Sequence, residues 1–396
     1  MNKTFKELAI LVAVNICLTF LILFPFYLRI PQFLGLNFSE GPAAIYRNFD
    51  GLEYIVIAKS WYSPQAISNF PLSLPANYYA AHFPGYALLM LPFAPVFGFL
   101  KSMIFVAFIF TILSSIAFYF LVRDFKLTNH PLLLSIIFLI LPARWLVVHS
   151  VGSAEPMFIF FTIASLYFFL KYESSNKFSF ILATGVLGML AQLSRPPGIL
   201  LFFALGAYLI WKIIKNKSDL VKTNEGNILS RTISTVVAYS PLFLIPVTLL
   251  MIFYWYSIAY QDFFAYFHSG DNIHLTFPPY QVFNINQPWV GSIWLEDIIY
   301  LLILGFLGGI RLFKQKLYPL AFYVLVYLGA STLVAHRDLS RYTLPIFPFV
   351  LIAFEKVLVS QEFKIVLAIV ALAIYLYAQN FLTQNTAPIF NLEIFN

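Results

Sequence analysis

Twelve apolar segments dominate this sequence of 396 residues. A helix needs about 20 apolar residues to cross a bilayer, and most of the segments approach that length. They lie near residues 8–30, 84–100, 102–122, 131–148, 156–170, 178–194, 197–214, 232–256, 297–310, 317–335, 342–359 and 363–380. Because only 10% of the residues are charged, the chain cannot give a water-soluble globule a polar surface. The sequence therefore predicts an all-α polytopic membrane protein and excludes soluble enzymes, coiled coils and disordered scaffolds.

The first apolar segment resembles the start of a signal peptide, since Lys3 and Lys6 precede it. The small residues of a cleavage site are missing, and Phe26 to Arg29 follow instead. We therefore expect a retained first helix, with its N-terminus in the cytoplasm.

The segment 84–100 decides the topology, because prolines and Gly98 interrupt it. If it spans the membrane, the later basic clusters face the side opposite Lys3 and Lys6. If it lies in the interface or re-enters, all of these clusters are cytoplasmic, as the positive-inside rule requires. The clusters are Arg123/Lys126, Lys171/Lys177, Lys212/Lys215/Lys217/Lys222 and Arg311/Lys314/Lys316. The second reading predicts about eleven spanning helices and a non-spanning juxtamembrane helix.

This topology predicts a single membrane domain. Its parts are a first transmembrane helix (1–30), a long first outer loop with juxtamembrane helices (31–101), the remaining transmembrane helices (102–380) and a short tail (381–396). Acidic residues, histidines and several arginines gather in the outer loops, so any chemistry is expected on the extracytoplasmic face. The net charge of +7 indicates basic loops held against anionic membrane lipids rather than a nucleic-acid partner.

Familiar cofactor motifs are missing from the sequence. We find no GxxxxGK[ST] loop for nucleotide phosphates, no His/Cys cluster at zinc spacing and no HExxH or GxSxG motif. The expectation is therefore a reaction without a metal or a cofactor.

The first outer loop offers a candidate catalytic base at Asp50. A periodic stretch follows Asp50, so Asp50, Glu53 and Tyr54 are expected within one turn of a helix. A single carboxylate suffices to take a proton from an attacking hydroxyl when the leaving group is a phosphate. The alternative is an acidic N-cap on an exposed amphipathic helix.

A leaving lipid phosphate needs cationic donors, and the planar guanidinium of arginine suits this task. Arg195 lies between two apolar runs, while Arg337 and Arg341 share a short outer turn. Snorkelling is the alternative for Arg341, and a local ion pair with Asp338 is the alternative for Arg337.

Four further residues are candidates for substrate binding: His82, His149, Glu155 and Tyr342. Each also has a structural interpretation. Glu155 begins an apolar helix, where a carboxylate interacts favourably with the helix dipole. His82 can be an interfacial polar group, and His149 can cap or end a helix.

Several of these residues lie in motifs that resemble those of the PIG-V-type mannosyltransferases. The elements are Phe49-Asp50-Gly51-x-x-Tyr54-x-x-x-Ala58-x-x-x-Tyr62, His82-Phe83-Pro84-Gly85-Tyr86, His149 to Glu155, Leu193-Ser194-Arg195-x-x-Gly198, and Arg341-Tyr342-x-Leu344-Pro345-x-Phe347-Pro348. This family belongs to the GT-C superfamily of polyprenyl-phosphate-sugar-dependent glycosyltransferases. Phe49 stands where the family has tryptophan, and Gly85 breaks its second proline pattern.

The resemblance implies a GT-C-like fold in which Asp50 acts as the catalytic base. The expected activity is inverting, metal-independent transfer of a hexose, with mannose the sugar that the resemblance implies. A polyprenyl-phosphate-linked sugar would be the donor, and a glycan, lipid or protein the acceptor. The expected location is a prokaryotic cell membrane.

Two other functions remain open. A lipid-linked oligosaccharide ligase or polymerase also uses arginine and histidine on the outer face, but Asp50 in a long first loop argues against it. A lipid or solute transporter usually carries its ionisable residues near the bilayer midplane, whereas here they gather at helix ends.

Overall fold

The structure is a computed structural model that describes residues 3–72, 74–223, 237–270, 274–284, 286, 295–389 and 391–396. Within these ranges the regular secondary structure is helical, with three isolated β-bridges and no strand. The α-helices of the first half are α1 (Lys3–Tyr27), α2 (Pro42–Tyr46), α3 (Gly51–Ser60), α4 (Pro64–Ile67), α5 (Gly85–Met90), α6 (Ala94–Phe97), α7 (Phe99–Asp124), α8 (Pro131–Ile140), α9 (Ala143–Val148), α10 (Glu155–Ser175) and α11 (Phe178–Ser194).

The second half continues with eight further α-helices. They are α12 (Ile199–Thr223), α13 (Leu244–Ala259), α14 (Glu296–Lys314), α15 (Tyr318–Ser331), α16 (Leu339–Tyr342), α17 (Phe347–Ala353), α18 (Glu355–Leu358) and α19 (Gln361–Gln384). Short 3₁₀ turns cover Ala76–Ala81, Pro196–Gly198, Ser240–Phe243, Gln281–Phe283, Leu344–Ile346 and Glu393–Phe395.

Six helical segments among the described residues are long and apolar enough to cross a membrane: Lys3–Tyr27, Phe99–Asp124, Glu155–Ser175, Pro196–Lys215, Ser240–Ala259 and Gln361–Gln384. Shorter apolar helices cover Pro131–Ile140, Phe178–Ser194, Tyr318–Ser331 and Leu339–Ala353. The prediction of an all-α, multi-pass membrane protein is confirmed.

The segment 84–100 forms no spanning helix. Its residues form the short helices α5 and α6, and Gly98 (φ 75°) separates α6 from α7. At 1.5 Å per residue, the six residues of α5 extend over only about 9 Å. The predicted juxtamembrane element is therefore confirmed, although it consists of two helices.

The apolar segment 131–148 forms two helices rather than one, because the helix breaks at Leu141 and Pro142. Leu141 is extended (φ −118°, ψ 140°), as residues before proline prefer, and Pro142 has no N–H to continue the helix. The break lets α9 begin in a new direction. It is this short helix that carries Arg144 to the functional site.

The core of the bundle is α10, which packs between α7 and α11. Small residues allow close helix contacts on α11. A Cβ added at Gly185 would lie 2.2 Å from the Pro241 carbonyl oxygen, and one at Gly188 would lie 2.5 Å from Ile245 Cδ1. Close approach of this kind is typical of membrane helices, in which dispersion contacts replace the hydrophobic effect.

The C-terminal residues are a structural part of the bundle and not the simple short tail predicted for 381–396. Helix α19 continues to Gln384. Beyond it, the chain pairs with the segment before α3 through a β-bridge between Asn48 and Thr386. The amide of Ala387 donates to the Arg47 carbonyl oxygen at 2.9 Å. The tail thus holds the loop that precedes Asp50.

Candidate active site

Asp50 lies at the first position before α3, but its side chain makes no capping hydrogen bond. Asp50 therefore occupies the expected N-cap position, but the alternative of an acidic cap does not hold, because the carboxylate accepts from Arg341 instead. Gly51 allows this placement. A Cβ added there would lie 2.8 Å from Met103 Sδ and 2.9 Å from the Gly152 carbonyl oxygen, so glycine lets the start of α3 approach the segment before α10 closely.

A chain of alternating charges connects four residues that are distant in the sequence. Arg341 donates through Nη2 to Asp50 Oδ2 in a short hydrogen bond. Its Nε donates to Glu155 Oε1 at 2.5 Å. On the other side of Glu155, Arg195 Nη1 lies 2.8 Å from the same oxygen. The order is therefore Asp50, Arg341, Glu155, Arg195. Arg341 is buried and does not snorkel, whereas Glu155 begins α10, as the helix-dipole interpretation expects, and also pairs with both arginines.

Burial differs sharply along this chain of charges. The side chain of Glu155 is completely buried, whereas that of Asp50 is 27% exposed. Taking an isolated carboxylate out of water is costly, and the two arginines compensate for that cost at Glu155. Glu155 thus anchors the arginines from behind, and Asp50 presents its carboxylate to the open side.

The two acidic side chains of the first loop have opposite electrostatics. Burial on its own raises the pKa of Asp50, but the attraction of Arg341, His82 and Arg195 outweighs it and holds this pKa well below its ordinary value. Burial, followed by the charge of Asp50, raises the pKa of Glu53 to about 8. At neutral pH Asp50 is therefore ionised and Glu53 is protonated.

His82 and Tyr54 complete the surroundings of Asp50. His82 Nε2 lies 3.9 Å from Asp50 Oδ2. The ring of Tyr54 packs edge-on against the His82 ring, with 5.4 Å between centroids, and Tyr62 donates from its hydroxyl to the His82 carbonyl oxygen at 2.7 Å. These contacts fix the imidazole on the open side of Asp50.

The charged chain opens into a cavity of about 920 Å³, which is large enough for a drug-sized ligand. Seven predicted site residues line it: Asp50, Tyr54, His82, Arg195, Arg337, Arg341 and Tyr342. The C-terminal segment contributes a wall of its own through Gln384, Asn385, Thr386, Ala387 and Pro388.

Three predicted residues do not line the cavity. Glu155 lies behind the arginines, and Glu53 lies on α3 with one carboxylate oxygen buried and without a hydrogen-bond partner. The prediction that His149 contacts the substrate is not supported by its position. His149 is 3% exposed, its Nε2 lies 3.1 Å from the Leu139 carbonyl oxygen, and its ring packs on Trp145. The structure thus places His149 in the packing between α8 and α9.

Arg337 is exposed on the cavity wall, and the alternative of a local ion pair with Asp338 is wrong. Asp338 pairs instead with Arg144 through a short hydrogen bond. The guanidinium of Arg144 also lies 3.9 Å from the centroid of the Phe381 ring, within the range of a cation–π interaction.

Sequence reasoning missed Arg144 and Arg47, both of which line the cavity. Arg144 interrupts an apolar segment, and an ionisable residue inside such a segment is a signal of function by default. Arg47 makes a short hydrogen bond to Glu40 and also donates to the Ile389 carbonyl oxygen at 3.3 Å. No local sequence pattern predicts that Arg47 contacts the C-terminal residues.

The described residues contain no group of three or more His, Cys, Asp or Glu side chains arranged to hold a metal ion. Five arginines line the cavity instead, and they are Arg47, Arg144, Arg195, Arg337 and Arg341. The arginines can hold an anionic ligand in the same cavity as one ionised carboxylate.

The fold is similar to that of two proteins of known structure. ArnT from Cupriavidus metallidurans bound to undecaprenyl phosphate superposes with a TM-score of 0.56 at 15% identity, over 92% of this chain and 63% of that one. The archaeal oligosaccharyltransferase AglB from Archaeoglobus fulgidus, in complex with an inhibitory peptide and a dolichol-phosphate, gives 0.51 at 14% identity, over 99% and 57%. The expected GT-C-like fold is confirmed.

At the level of sequence, residues 97–264 match the family described as dolichyl-phosphate-mannose-protein mannosyltransferase. This range holds Glu155 and Arg195, but neither Asp50 nor Arg341. No curated protein matches the chain. The chain spans less than two thirds of the length of the ArnT and AglB structures.

Proposed function

We propose that this protein is an inverting glycosyltransferase that moves a hexose from a polyprenyl-phosphate-linked donor to an acceptor at the extracytoplasmic membrane face. One observation carries the proposal: the ionised Asp50 carboxylate and five arginines line a single cavity. The ArnT structure with undecaprenyl phosphate, the AglB structure with dolichol-phosphate and the match to a mannosyltransferase family support the donor class.

The donor phosphate binds at Arg341 and Arg195. Both arginines line the cavity. Glu155 Oε1 lies 2.8 Å from Arg195 Nη1 and accepts from Arg341 Nε at 2.5 Å, so one buried carboxylate holds the two guanidinium groups in place for the phosphate. A phosphodiester carries a single negative charge, which a planar guanidinium holds through paired hydrogen bonds.

Asp50 acts as the general base. The acceptor hydroxyl attacks the anomeric carbon of the sugar, and Asp50 takes the hydroxyl proton as the new carbon–oxygen bond forms. The bond between the anomeric carbon and the phosphate oxygen breaks on the opposite side, and its electron pair leaves with the lipid phosphate. Because attack and departure occur on opposite faces, the anomeric configuration inverts. No second carboxylate is required, since a phosphate leaves without protonation.

The ion pair between Asp50 and Arg341 makes the base responsive to the donor. In the free protein Arg341 keeps the pKa of Asp50 low, and a weakly basic carboxylate is a poor proton acceptor. A bound phosphate competes for the same guanidinium and so raises the basicity of Asp50 at the moment when the donor is present. Without a bound donor, a water molecule in the cavity therefore meets a less basic Asp50.

The sugar and the membrane side belong to the same proposal. The motif resemblance to PIG-V-type mannosyltransferases and the family match favour mannose. The positive-inside rule supports the extracytoplasmic side. The loop with Asp50 follows the end of α1 opposite Lys3 and Lys6, Arg123 lies in the last turn of α7, and Lys171 and Lys212 lie in the C-terminal halves of α10 and α12.

The test is a transfer assay with the full chain in membranes, supplied with radiolabelled polyprenyl-phosphate sugars. We expect label to move from the lipid to an acceptor, with mannose transferred best and with the β- or α-configuration of the product opposite to that of the donor. Transfer only from a polyprenyl-pyrophosphate oligosaccharide would instead establish a ligase. Movement of unmodified lipid across vesicles, without transfer, would establish a transporter.

A further inference from the structure

A second cavity, of about 530 Å³, lies between α1 and α7 on the outside of the bundle. It is lined by Ile16, Thr19, Phe20, Leu23, Phe24, Tyr27, Leu28, Phe97, Lys101, Ile104, Phe105 and Phe108. All but Thr19, Tyr27 and Lys101 are aliphatic or phenylalanine side chains, and several are among the large exposed apolar residues of the protein. We call this cavity the α1/α7 groove. None of its lining residues also lines the active-site cavity.

In the part of the chain that the structure describes, the side-chain hydrogen bonds between the antiparallel helices α1 and α7 lie in the half away from the groove. Asn15 donates to Ser115 Oγ at 3.0 Å, and the Tyr119 hydroxyl makes a short hydrogen bond to Glu7. Beyond Asn15 the groove runs along one face of α1 from Ile16 to Tyr27 and along α7 from Phe108 to Lys101. Lys101 therefore lies at the end of α7 next to the active site, where Met103 packs against Gly51.

The length of the groove equals the depth of one lipid leaflet. The eleven residue steps from Ile16 to Tyr27 rise about 16 Å along the helix axis at 1.5 Å per residue. Half of a hydrocarbon core of about 30 Å is about 15 Å. One acyl chain that extends from the head-group region to the bilayer midplane fits this groove.

A single charged side chain lies at the outer end of the groove. Lys101 is exposed, and it makes no hydrogen bond or ion pair with any residue that the structure describes. A cation at this position meets the phosphate of a lipid whose chain lies against Phe105 and Phe24. Near an anionic membrane surface, such a contact strengthens binding by about fivefold per lysine.

We propose that the α1/α7 groove is a binding site for an anionic glycerophospholipid of the leaflet that faces the active site. One acyl chain lies between α1 and α7, and the head-group phosphate pairs with Lys101. We commit to a phospholipid rather than to a polyprenyl phosphate for two reasons. The groove is one leaflet long and closes at Asn15 and Ser115, and it shares no residue with the cavity in which the donor would react. This proposal does not depend on the proposed transfer activity.

Native mass spectrometry of the full chain, with phosphatidylglycerol and phosphatidylcholine of identical acyl chains added in equal amounts, tests the head-group preference. We expect bound phosphatidylglycerol to predominate. Lys101→Gln should weaken its binding by about fivefold and Lys101→Glu by about 25-fold, because each step removes one unit of favourable charge. Lys364→Glu on the exposed face of α19 is the matched control and should bind as wild type does. Equal losses in Lys101→Glu and Lys364→Glu would overturn the proposal.

A second variant tests the groove itself. Thr19→Trp places a large ring in the groove and should displace the lipid, whereas Ile369→Trp adds the same ring at a residue that is 73% exposed on α19 and should not. Both variants are compared at equal monodispersity and melting temperature. Retention of phosphatidylglycerol by Thr19→Trp would overturn the proposal. Displacement of phosphatidylglycerol by an equal amount of undecaprenyl phosphate would overturn the choice of a phospholipid.

Discussion

Replacing Asp50 by asparagine tests the central claim about the site, because this change removes the charge and keeps the shape. The structural cost is limited. In the wild type, Arg341 donates to a charged acceptor, and such a hydrogen bond contributes about 1.5–3 kcal/mol. In the variant the acceptor is neutral, and the hydrogen bond contributes about 1 kcal/mol. Arg341 keeps its bond to Glu155 at 2.5 Å, so no buried cation is left alone. We expect a loss of stability of about 1–2 kcal/mol.

The functional cost is far larger. General-base catalysis contributes about 10²–10⁴-fold, which corresponds to about 3–5 kcal/mol of transition-state stabilisation. Asparagine accepts no proton at neutral pH, so Asp50→Asn should lose at least about a hundredfold in turnover, with donor binding largely retained. The assay follows transfer from radiolabelled polyprenyl-phosphate sugar under saturating donor, and thermal melting in parallel measures the stability.

Asp338→Asn is the matched control, since Asp338 lines the same cavity and also pairs with an arginine. Its turnover should fall less than about tenfold, because it lacks the position of a base. If Asp50→Asn keeps more than a tenth of the wild-type turnover, or if Asp338→Asn loses as much, Asp50 is not the base. Glu155 would then be the next carboxylate to examine.

Four other outcomes are expected. Arg341→Lys keeps the charge but cannot bridge Asp50 and Glu155 with a planar fork, so the KM for the donor should rise, and wild-type kinetics in this variant would contradict the role in phosphate binding. The pKa of Glu53 is about 8 in the folded protein and has an ordinary value of 4.5. As the pH rises, Glu53 therefore loses its proton in the unfolded state before it does so in the folded state, and the folded state loses stability between about pH 5 and pH 8. Melting temperatures should show this fall in the wild type but not in Glu53→Gln. Asn48→Ala removes hydrogen bonds to the carbonyl oxygens of Ala44 (2.8 Å) and Leu382 (2.9 Å), so hydrogen exchange of residues 385–389 should accelerate and turnover should fall, whereas unchanged exchange would refute the tail's role in holding the loop. Reporter fusions after Arg123 should report cytoplasm and fusions near Ser68 the outside; the reverse result would place the site in the cytoplasm.

The sequence by itself determined that the protein lies in a membrane and that its fold is helical. With 61% apolar residues and apolar segments that approach the length of about 20 residues needed for a spanning helix, the sequence predicted helices that satisfy their own backbone hydrogen bonds in a membrane. The positions of the basic clusters, together with the prolines and Gly98 of the segment 84–100, were enough to predict that this segment does not span, because spanning would place those clusters opposite Lys3 and Lys6. These are local properties, and local properties can be read from the order of the residues.

Which charges meet was decided by the tertiary structure. The sequence proposed Asp50, Glu155, Arg195 and Arg341 one at a time, but the hydrogen bond from Arg341 to Asp50 joins residues 291 positions apart. The same limit explains the error at His149, whose partner is a carbonyl oxygen on α8, and the omission of Arg144, which enters the cavity only because the chain turns at Pro142.

The C-terminal residues show most clearly which contacts cannot be predicted from the sequence. Nothing in their composition distinguishes residues 385–389 from an exposed tail, yet they pair with Arg47 and Asn48 and form a wall of the cavity. Backbone hydrogen bonds are available to any residue, so their partners depend on which segments the packed helices bring together. The sequence therefore determined which segments can lie in a membrane. The packing of the helices determined where Asp50, the arginines and the C-terminal residues meet.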